Sequence, residues 1–541
     1  MTRFSTLLAL GCATLGAARK PTLEERGIPV DPSGVRTITS PQGAQIRFKQ
    51  PGKDGGICET TPGVDDYAGY ISLDEKTNMF FWFFEARTDP SNKPLTLWLN
   101  GGPGSDSLIG LLQEHGPCNV TEDLKTQLNP YSWNEESNML YLSQPVGVGF
   151  SYETTETDSE GRYSLVDPDT ANTTHAAAVG AWHILQAFLE LSPQLDPDIQ
   201  NFTFNLWTES YGGHYGPGFY NYFYQQNEAI KNGTVQGCEL RMDTLGIING
   251  IIDEEIQAPY YPEFAVNNTY GIKSINDTIY TFMKTAYYIP DGCRDWIQNC
   301  KYALRQDAGS EDTYFYCSSA TSICRSMVEE PYYSYGGRGV YDIRHPYDDP
   351  TPPDYFMDFL NLASTQEALG VNINYTSSNA PNVSYGFQTT GDFVYPLIDD
   401  LEEILGYGVR VAMIYGDADY ICNWFGGEAV SLAVNYTHTE DFQAAGYVPF
   451  LVDGVEHGET REYGNFSFTR IYEAGHEIPY YQPAASLEIF KRVLQGLVIP
   501  DGSKAITADY ATNGTAKATH TEAFVPLPPS GTPSASASAA I

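Results

Sequence analysis

A serine becomes a useful nucleophile when a base lies within reach and the backbone pushes its hydroxyl clear of its neighbours. In the stretch Leu206-Trp207-Thr208-Glu209-Ser210-Tyr211-Gly212-Gly213 an apolar run stops at Ser210 and passes at once into glycines and aromatics at helical spacing. The pattern predicts a strand, a sharp turn and a helix, with Ser210 on the turn. It matches the general G-x-S-x-G motif only at Gly212, because Thr208 stands where the first glycine is usual. Two later segments carry the partners that acyl transfer requires. Residues 409–415 (VRVAMIY) read as a short buried strand leading into Gly416-Asp417-Ala418-Asp419, and an acid at a strand end can orient an imidazole. Residues 466–472 (FSFTRIY) read as another strand, followed by Glu473-Ala474-Gly475-His476-Glu477, so His476 lies where a strand passes into a loop.

The elements that must position these side chains follow from their order. Ser210, Asp419 and His476 occur in the chain order of the α/β-hydrolases, each after a strand, so one sheet can bring them together at a single edge. The expected class is α/β: an α/β-hydrolase fold with a central, mostly parallel sheet flanked by helices, and with an inserted cap region. Residues 61–250 and 396–500 are expected to form the two parts of the core, preceded by an N-terminal segment at 19–60. Residues 251–395 hold a cluster of cysteines and an aromatic, Gly- and Pro-rich stretch at 331–353. They are expected to form the cap and to shape the pocket for the penultimate side chain of a substrate. Residues 501–541, rich in Ala, Ser, Thr and Pro towards their end, are expected to be a disordered or O-glycosylated tail.

Further segments narrow the reading. They are Tyr67-Ala68-Gly69-Tyr70, residues 80–87 (FFWFFEAR), Trp98-Leu99-Asn100-Gly101-Gly102-Pro103-Gly104, residues 129–134 (NPYSWN) and residues 144–152 (QPVGVGFSY). Together with the triad segments they resemble the serine carboxypeptidase family, which includes yeast vacuolar and cereal enzymes, and they are spread across most of the chain. The resemblance implies release of C-terminal amino acids through Ser210 as nucleophile, His476 as base and Asp419 as its orienting acid, with an acyl-enzyme and with no metal or other cofactor. It implies an oxyanion hole formed by the backbone N–H groups of Gly102 and Tyr211. It assigns Asn100, Gly101, Glu114 and Glu209 to the substrate's free carboxylate. Two carboxyl groups held close in a partly dry site cannot both ionise cheaply, so at least one is expected to keep its proton and donate to the peptide's end. An acidic optimum for peptide hydrolysis follows. The family commonly has a disulfide-bonded cysteine directly after its oxyanion loop, whereas this chain has Ser105 and Asp106. Many members have Met after the catalytic His, where this chain has Glu477, and a carboxylate there would attract a basic C-terminal side chain or perturb His476. Cys422 matches a family cysteine that stays free beside the catalytic Asp.

Composition sets the surroundings. A formal net charge of -38 argues against nucleic acid and acidic lipid surfaces as partners, which require clustered Lys and Arg. The expected partners are peptides and proteins with a free C-terminus. The nine histidines contain no H-E-x-x-H pair, so no zinc site is predicted. Residues 1–18 read as a signal peptide, with a basic start, a short apolar stretch and small residues for cleavage, and no later run is long enough to span a membrane. Sequons at Asn119, Asn172, Asn201, Asn232, Asn267, Asn276, Asn374, Asn382, Asn435, Asn465 and Asn513 point to the same secretory route, ending outside the cell or in a vacuole. Eight cysteines remain after the signal peptide, and their pairing is open; if Cys422 is free, a second one is unpaired too. An esterase or acyltransferase on the same triad, and a non-catalytic secreted binding protein, are the competing readings; Asn100, Glu114 and Glu209 argue against the first, the intact triad against the second.

Overall fold

The computed structural model describes residues 31–40, 43–72, 74, 76–153, 166–349, 351–376 and 382–527. Residues 1–18, read above as a signal peptide, lie outside the described residues. Fifteen strands are present among them: β1 Arg36–Thr39, β2 Gln45–Lys49, β3 Asp66–Ser72, β4 Thr77–Phe84, β5 Leu95–Leu99, β6 Cys118–Val120, β7 Thr126–Leu128, β8 Asn138–Leu142, β9 Tyr152–Glu153, β10 Thr203–Glu209, β11 Arg241–Ile248, β12 Arg410–Gly416, β13 Val448–Val452, β14 Val455–Tyr463 and β15 Phe466–Ile471. All but the β6–β7 hairpin join one sheet in the order β1-β2-β3-β4-β8-β5-β10-β11-β12-β15-β14-β13, with β9 on β4. The six strands β8, β5, β10, β11, β12 and β15 run parallel, and antiparallel strands extend the sheet on both sides.

Parallel strands covered on both faces read as continuous apolar runs, and β5 and β12 are buried at every position. Alternate residues divide between two cores, as the pleat requires. Leu97, Leu99, Leu206, Leu245, Ile247, Val411 and Met413 face one core, shared with residues of helices α1 (Thr174–Leu195) and α2 (Gly212–Lys231). Trp98, Trp207, Ile248, Ala412 and Ile414 face the other, with Trp133 and with Phe490 of helix Pro483–Leu494. This is the α/β-hydrolase architecture, with each triad residue just beyond the C-terminal end of a parallel strand.

Between β11 and β12 the described residues form helices and loops and add no strand to the sheet. Two disulfides, Cys293–Cys324 and Cys300–Cys317, staple helix Cys293–Gln306 to helix Glu311–Cys324, and a third joins Cys58 to Cys118. Cys238 is free and exposed, and Cys422 is free and buried. The tail departs from its expectation. Residues 501–527 run back over the core: Tyr447 pairs with Thr515 and Tyr463 with Ala511, the Arg470 guanidinium donates to the His520 carbonyl at 3.0 Å, and His520 stacks on Tyr472 at 3.6 Å. Backbone pairing, hydrogen bonds from Arg338, Arg461 and Arg470 to its carbonyls, and scattered aromatic contacts secure this segment without a periodic apolar pattern of its own, which is why composition did not reveal it; residues 528–541 lie outside the described residues. No helix among the described residues is long and apolar enough to cross a membrane.

Candidate active site

β10 ends at Glu209 and α2 begins at Gly212, so Ser210 lies on the turn between them. Its φ is 64°, a left-handed conformation that costs a residue with a side chain about 1–3 kcal/mol. Neighbouring backbone holds it there: the Ser210 N–H donates to the Ile248 carbonyl at 3.0 Å, and the Ser210 carbonyl accepts from the N–H groups of Ile251 at 3.0 Å and Gly213 at 2.9 Å. The unusual Thr208 fits because room is made elsewhere. A Cβ on Gly212 would lie 2.6 Å from the Thr208 Cβ; without it, the Thr208 hydroxyl donates to the Gly212 carbonyl at 2.8 Å.

Asp419 and His476 meet beside this turn. The His476 Nδ1–H donates to Asp419 Oδ2 at 2.7 Å, an assignment that follows because the carboxylate can only accept. Asp419 is fully buried, and burial raises its pKa against the opposing pull of His476. The His476 backbone N–H donates to the Tyr341 carbonyl at 2.8 Å, and the Tyr341 ring lies 5.0 Å from the imidazole. Cys422 links the parts: its thiol is within hydrogen-bonding reach of Ser210 and lies within 4.8 Å of ligand atoms of both Asp419 and His476. A direct Ser210–His476 hydrogen bond is not formed among the described residues, as is common before substrate tightens such a constellation. Asp419, Cys422 and His476 are also the grouping that could hold a metal ion, but burial and the adjacent carboxylates keep the Cys422 thiol protonated, which suits it poorly to that task.

A second constellation lies at the other end of Glu209. Asn100 Oδ1 accepts from Trp98 Nε1 at 2.7 Å and from the Gly110 N–H at 2.9 Å, which turns its NH2 group towards Glu209 Oε1 at 3.1 Å and Glu114 Oε1 at 3.3 Å. Both carboxyl groups are buried, and the second oxygen of each has no partner among the described residues. Burial pushes Glu114 up to about 7, and Glu209 is also raised, by burial and by the proximity of Glu114 and Glu477. Glu477, directly after His476, is half-buried, its Oε2 enclosed, and burial beside Glu114 raises its pKa as well. The site thus gathers three carboxyl groups where sequence placed two with a separate third.

The glycine loop at residues 100–104 closes on the turn that carries Ser210. A Cβ on Gly101 would come within 2.3 Å of the Tyr211 nitrogen, so only glycine permits this approach. Gly102 has φ 106°, and neither its N–H nor that of Tyr211 finds an acceptor among the described residues. Asp106, at the position after Ser105, is fully buried next to Ser143, and burial raises it to about 7.

Some participants carried no individual signal in the sequence. Tyr341 sits in an aromatic stretch read only as pocket wall. Asp392 accepts from the Tyr211 hydroxyl at 2.6 Å and from Thr174 at 2.6 and 3.0 Å, joining α1 to the residue after the nucleophile. Their contacts span more than 100 residues, and no local pattern announces such a distance.

A family model described as serine carboxypeptidase matches residues 54–496. Carboxypeptidase S1 homolog A of Arthroderma otae is 42% identical, over 98% of this chain and 88% of that protein. Carboxypeptidase S1 of Penicillium janthinellum is 41% identical, over 82% of this chain and 98% of that protein. Among solved structures, a prohormone-processing carboxypeptidase from Saccharomyces cerevisiae superimposes with a TM-score of 0.63 at 22% identity, covering 83% of this chain and 95% of that one, a likeness of fold.

Proposed function

This chain belongs to the serine carboxypeptidase family and is a serine-type carboxypeptidase; on that premise we propose that Ser210, His476 and Asp419 carry the reaction and that Asn100, Gly101, Glu114 and Glu209 select the free C-terminus. The observation that carries the reading is the 2.7 Å His476–Asp419 hydrogen bond beside a serine held at φ 64°. His476 Nε2 takes the Ser210 proton as Oγ attacks the last peptide carbonyl. Charge develops on the carbonyl oxygen, where the unengaged N–H groups of Gly102 and Tyr211 receive it; such a donor is worth about 3 kcal/mol of barrier. Asp419 fixes the tautomer and stabilises the imidazolium. His476 then protonates the leaving amine, the C-terminal amino acid departs, and water resolves the acyl-enzyme.

Selection of the carboxylate follows from the protonation of the acid pair. At acidic pH Glu114, raised to about 7, holds its proton, and burial with the neighbouring acids favours the protonated form of Glu209 as well, so their O–H groups, with the Asn100 amide, can donate to a peptide's terminal carboxylate. As pH rises through the Glu114 value of about 7, a donor becomes a repelling charge. With blocked dipeptides, the free acid is expected to be strongly preferred over the C-terminal amide at pH 5. Its KM should rise about fivefold from pH 7 to pH 8 while an ester lacking the free carboxylate keeps its KM, since a group titrating at about 7 passes from half protonated to roughly a tenth protonated over that unit. A peptide optimum more alkaline than the ester one would exclude the acid pair from this role.

Glu477 sets preference for the departing residue. Burial beside Glu114 favours its uncharged form in the free site, and an entering Lys or Arg side chain favours its ionisation, because an opposite charge lowers the cost of the buried carboxylate. Glu477→Met is expected to reduce the ratio of kcat/KM for Lys-ending over Leu-ending substrates by about tenfold or more, the worth of one charge-assisted hydrogen bond. An unchanged ratio would remove Glu477 from specificity. The secretory route is part of the same proposal, supported by the three disulfides and by the signal-like start of the chain.

A further inference from the structure

Asn249, immediately after β11, is fully buried and holds a φ of 45°, a left-handed conformation that Asn tolerates better than most residues. Its backbone N–H donates to the Ile414 carbonyl of β12 at 2.8 Å. Its side chain is fully engaged with two other segments. Oδ1 accepts from the Gly416 N–H at 2.8 Å, while Nδ2 donates to the carbonyls of His476 at 2.5 Å and Gly475 at 3.2 Å. One face of the amide must accept and the other must donate, so only a carboxamide satisfies all three contacts.

The neighbours of Asn249 hold the nucleophile. The Ile248 carbonyl accepts the Ser210 N–H, and the Ile251 N–H donates to the Ser210 carbonyl, both at 3.0 Å. Four consecutive residues therefore grip the Ser210 backbone on one side and, through one amide, the His476 backbone on the other. Gly416 begins the turn that carries Asp419. Little slack remains between these loops, since a Cβ on Gly416 would fall 2.3 Å from the Gly475 oxygen. The His476 N–H is tied to Tyr341 from the cap side, and its carbonyl is tied to Asn249 from the sheet side.

We propose that Asn249 is the positioning residue that holds His476 in register with Ser210 and Asp419. The inference rests on the triad reading above. It touches neither substrate nor the reacting atoms and acts through the main chain of the base, where an error near 1 Å is enough to cost about 100-fold in rate.

Two substitutions test it on an ester substrate that does not use the carboxylate-binding acids. Asn249→Asp is isosteric, but once ionised it turns a negative oxygen towards the Gly475 and His476 carbonyls; when protonated it can again donate to His476. Burial raises the pKa of the new carboxyl, so relative to wild type at the same pH its kcat should fall about 100-fold at about pH 9, where it ionises, and largely recover at about pH 5, with KM unchanged. Asn249→Gly keeps the left-handed backbone and removes the side chain, so its loss in kcat should be similar at both pH values. Thermal midpoints measured alongside identify folded protein, and if Asn249→Asp does not fold, kcat of Asn249→Gly decides alone. Wild-type kcat in the glycine variant, or a loss in the aspartate variant that ignores pH, would overturn the proposal. A wild-type protein that neither cleaves the ester nor reacts at Ser210 with an organophosphonate would instead overturn the triad reading, which is a separable result.

Discussion

Asp419→Asn is expected to lower kcat by about 10⁴-fold while leaving KM and the thermal midpoint nearly unchanged. The size follows from what the 2.7 Å contact does: it compels the proton onto Nδ1 and leaves Nε2 bare to take the Ser210 proton. In the amide, an NH2 group turned to His476 requires a bare Nδ1, so the proton moves to Nε2, where it blocks the base. Packing is preserved because the two side chains have the same shape. The measurement is steady-state kinetics on a blocked dipeptide with melting curves in parallel, and a kcat within tenfold of wild type would contradict the assignment of Asp419.

The second large effect concerns stability. Burial raises Asp66 and Asp106 from 3.8 to about 7, Glu462 to about 7 and Glu85 to about 8, and all four side chains are buried. Between pH 4 and 8 the folded protein binds more protons than the unfolded chain, whose acids ionise near pH 4. Their contribution is therefore fully present below about pH 4 and is lost as pH rises through the folded values of about 7 to 8. For Asp66 and Asp106, three units correspond to on the order of 4 kcal/mol each. The formal net charge of -38 adds self-repulsion in the same direction. The thermal midpoint should fall by about 10 °C or more from pH 4.5 to pH 8. Asp106→Asn, which keeps shape and removes the titration, should flatten that decline. A midpoint that rises with pH would contradict this account, and it would leave catalysis untouched.

The proposed triad and the glycine loop at residues 100–104 left marks in the sequence because each depends on a local requirement. Ser210 needs a strand, a tight turn and small residues on the helix side, and Gly101 and Gly102 need a backbone without Cβ; such demands leave marks within a few positions. Thr208 looked like a defect for the same reason. Its compensation lies at Gly212, four residues along, and becomes visible only once helix α2 is folded against β10. The order of Ser210, Asp419 and His476 likewise announced a parallel sheet, since no other simple arrangement brings three strand ends together from such spacing.

What residue types and local patterns pointed to by themselves was chemistry: a candidate nucleophile, its base and an orienting acid, to which the resemblance to the serine carboxypeptidases added candidate donors for an oxyanion and a pair of acids for a carboxylate. Tertiary structure alone decided the rest. It paired six of the cysteines and left Cys238 and Cys422 free, drew Glu477 into the neighbourhood of Glu114 and Glu209, laid residues 501–527 on the core, and set the Asn249 amide between the nucleophile and the base. The physical reason is range. Backbone conformation and side-chain chemistry are written within a turn or a strand, whereas disulfides, shifted carboxyl groups and bridging amides depend on which distant surfaces are brought into contact when apolar area is buried.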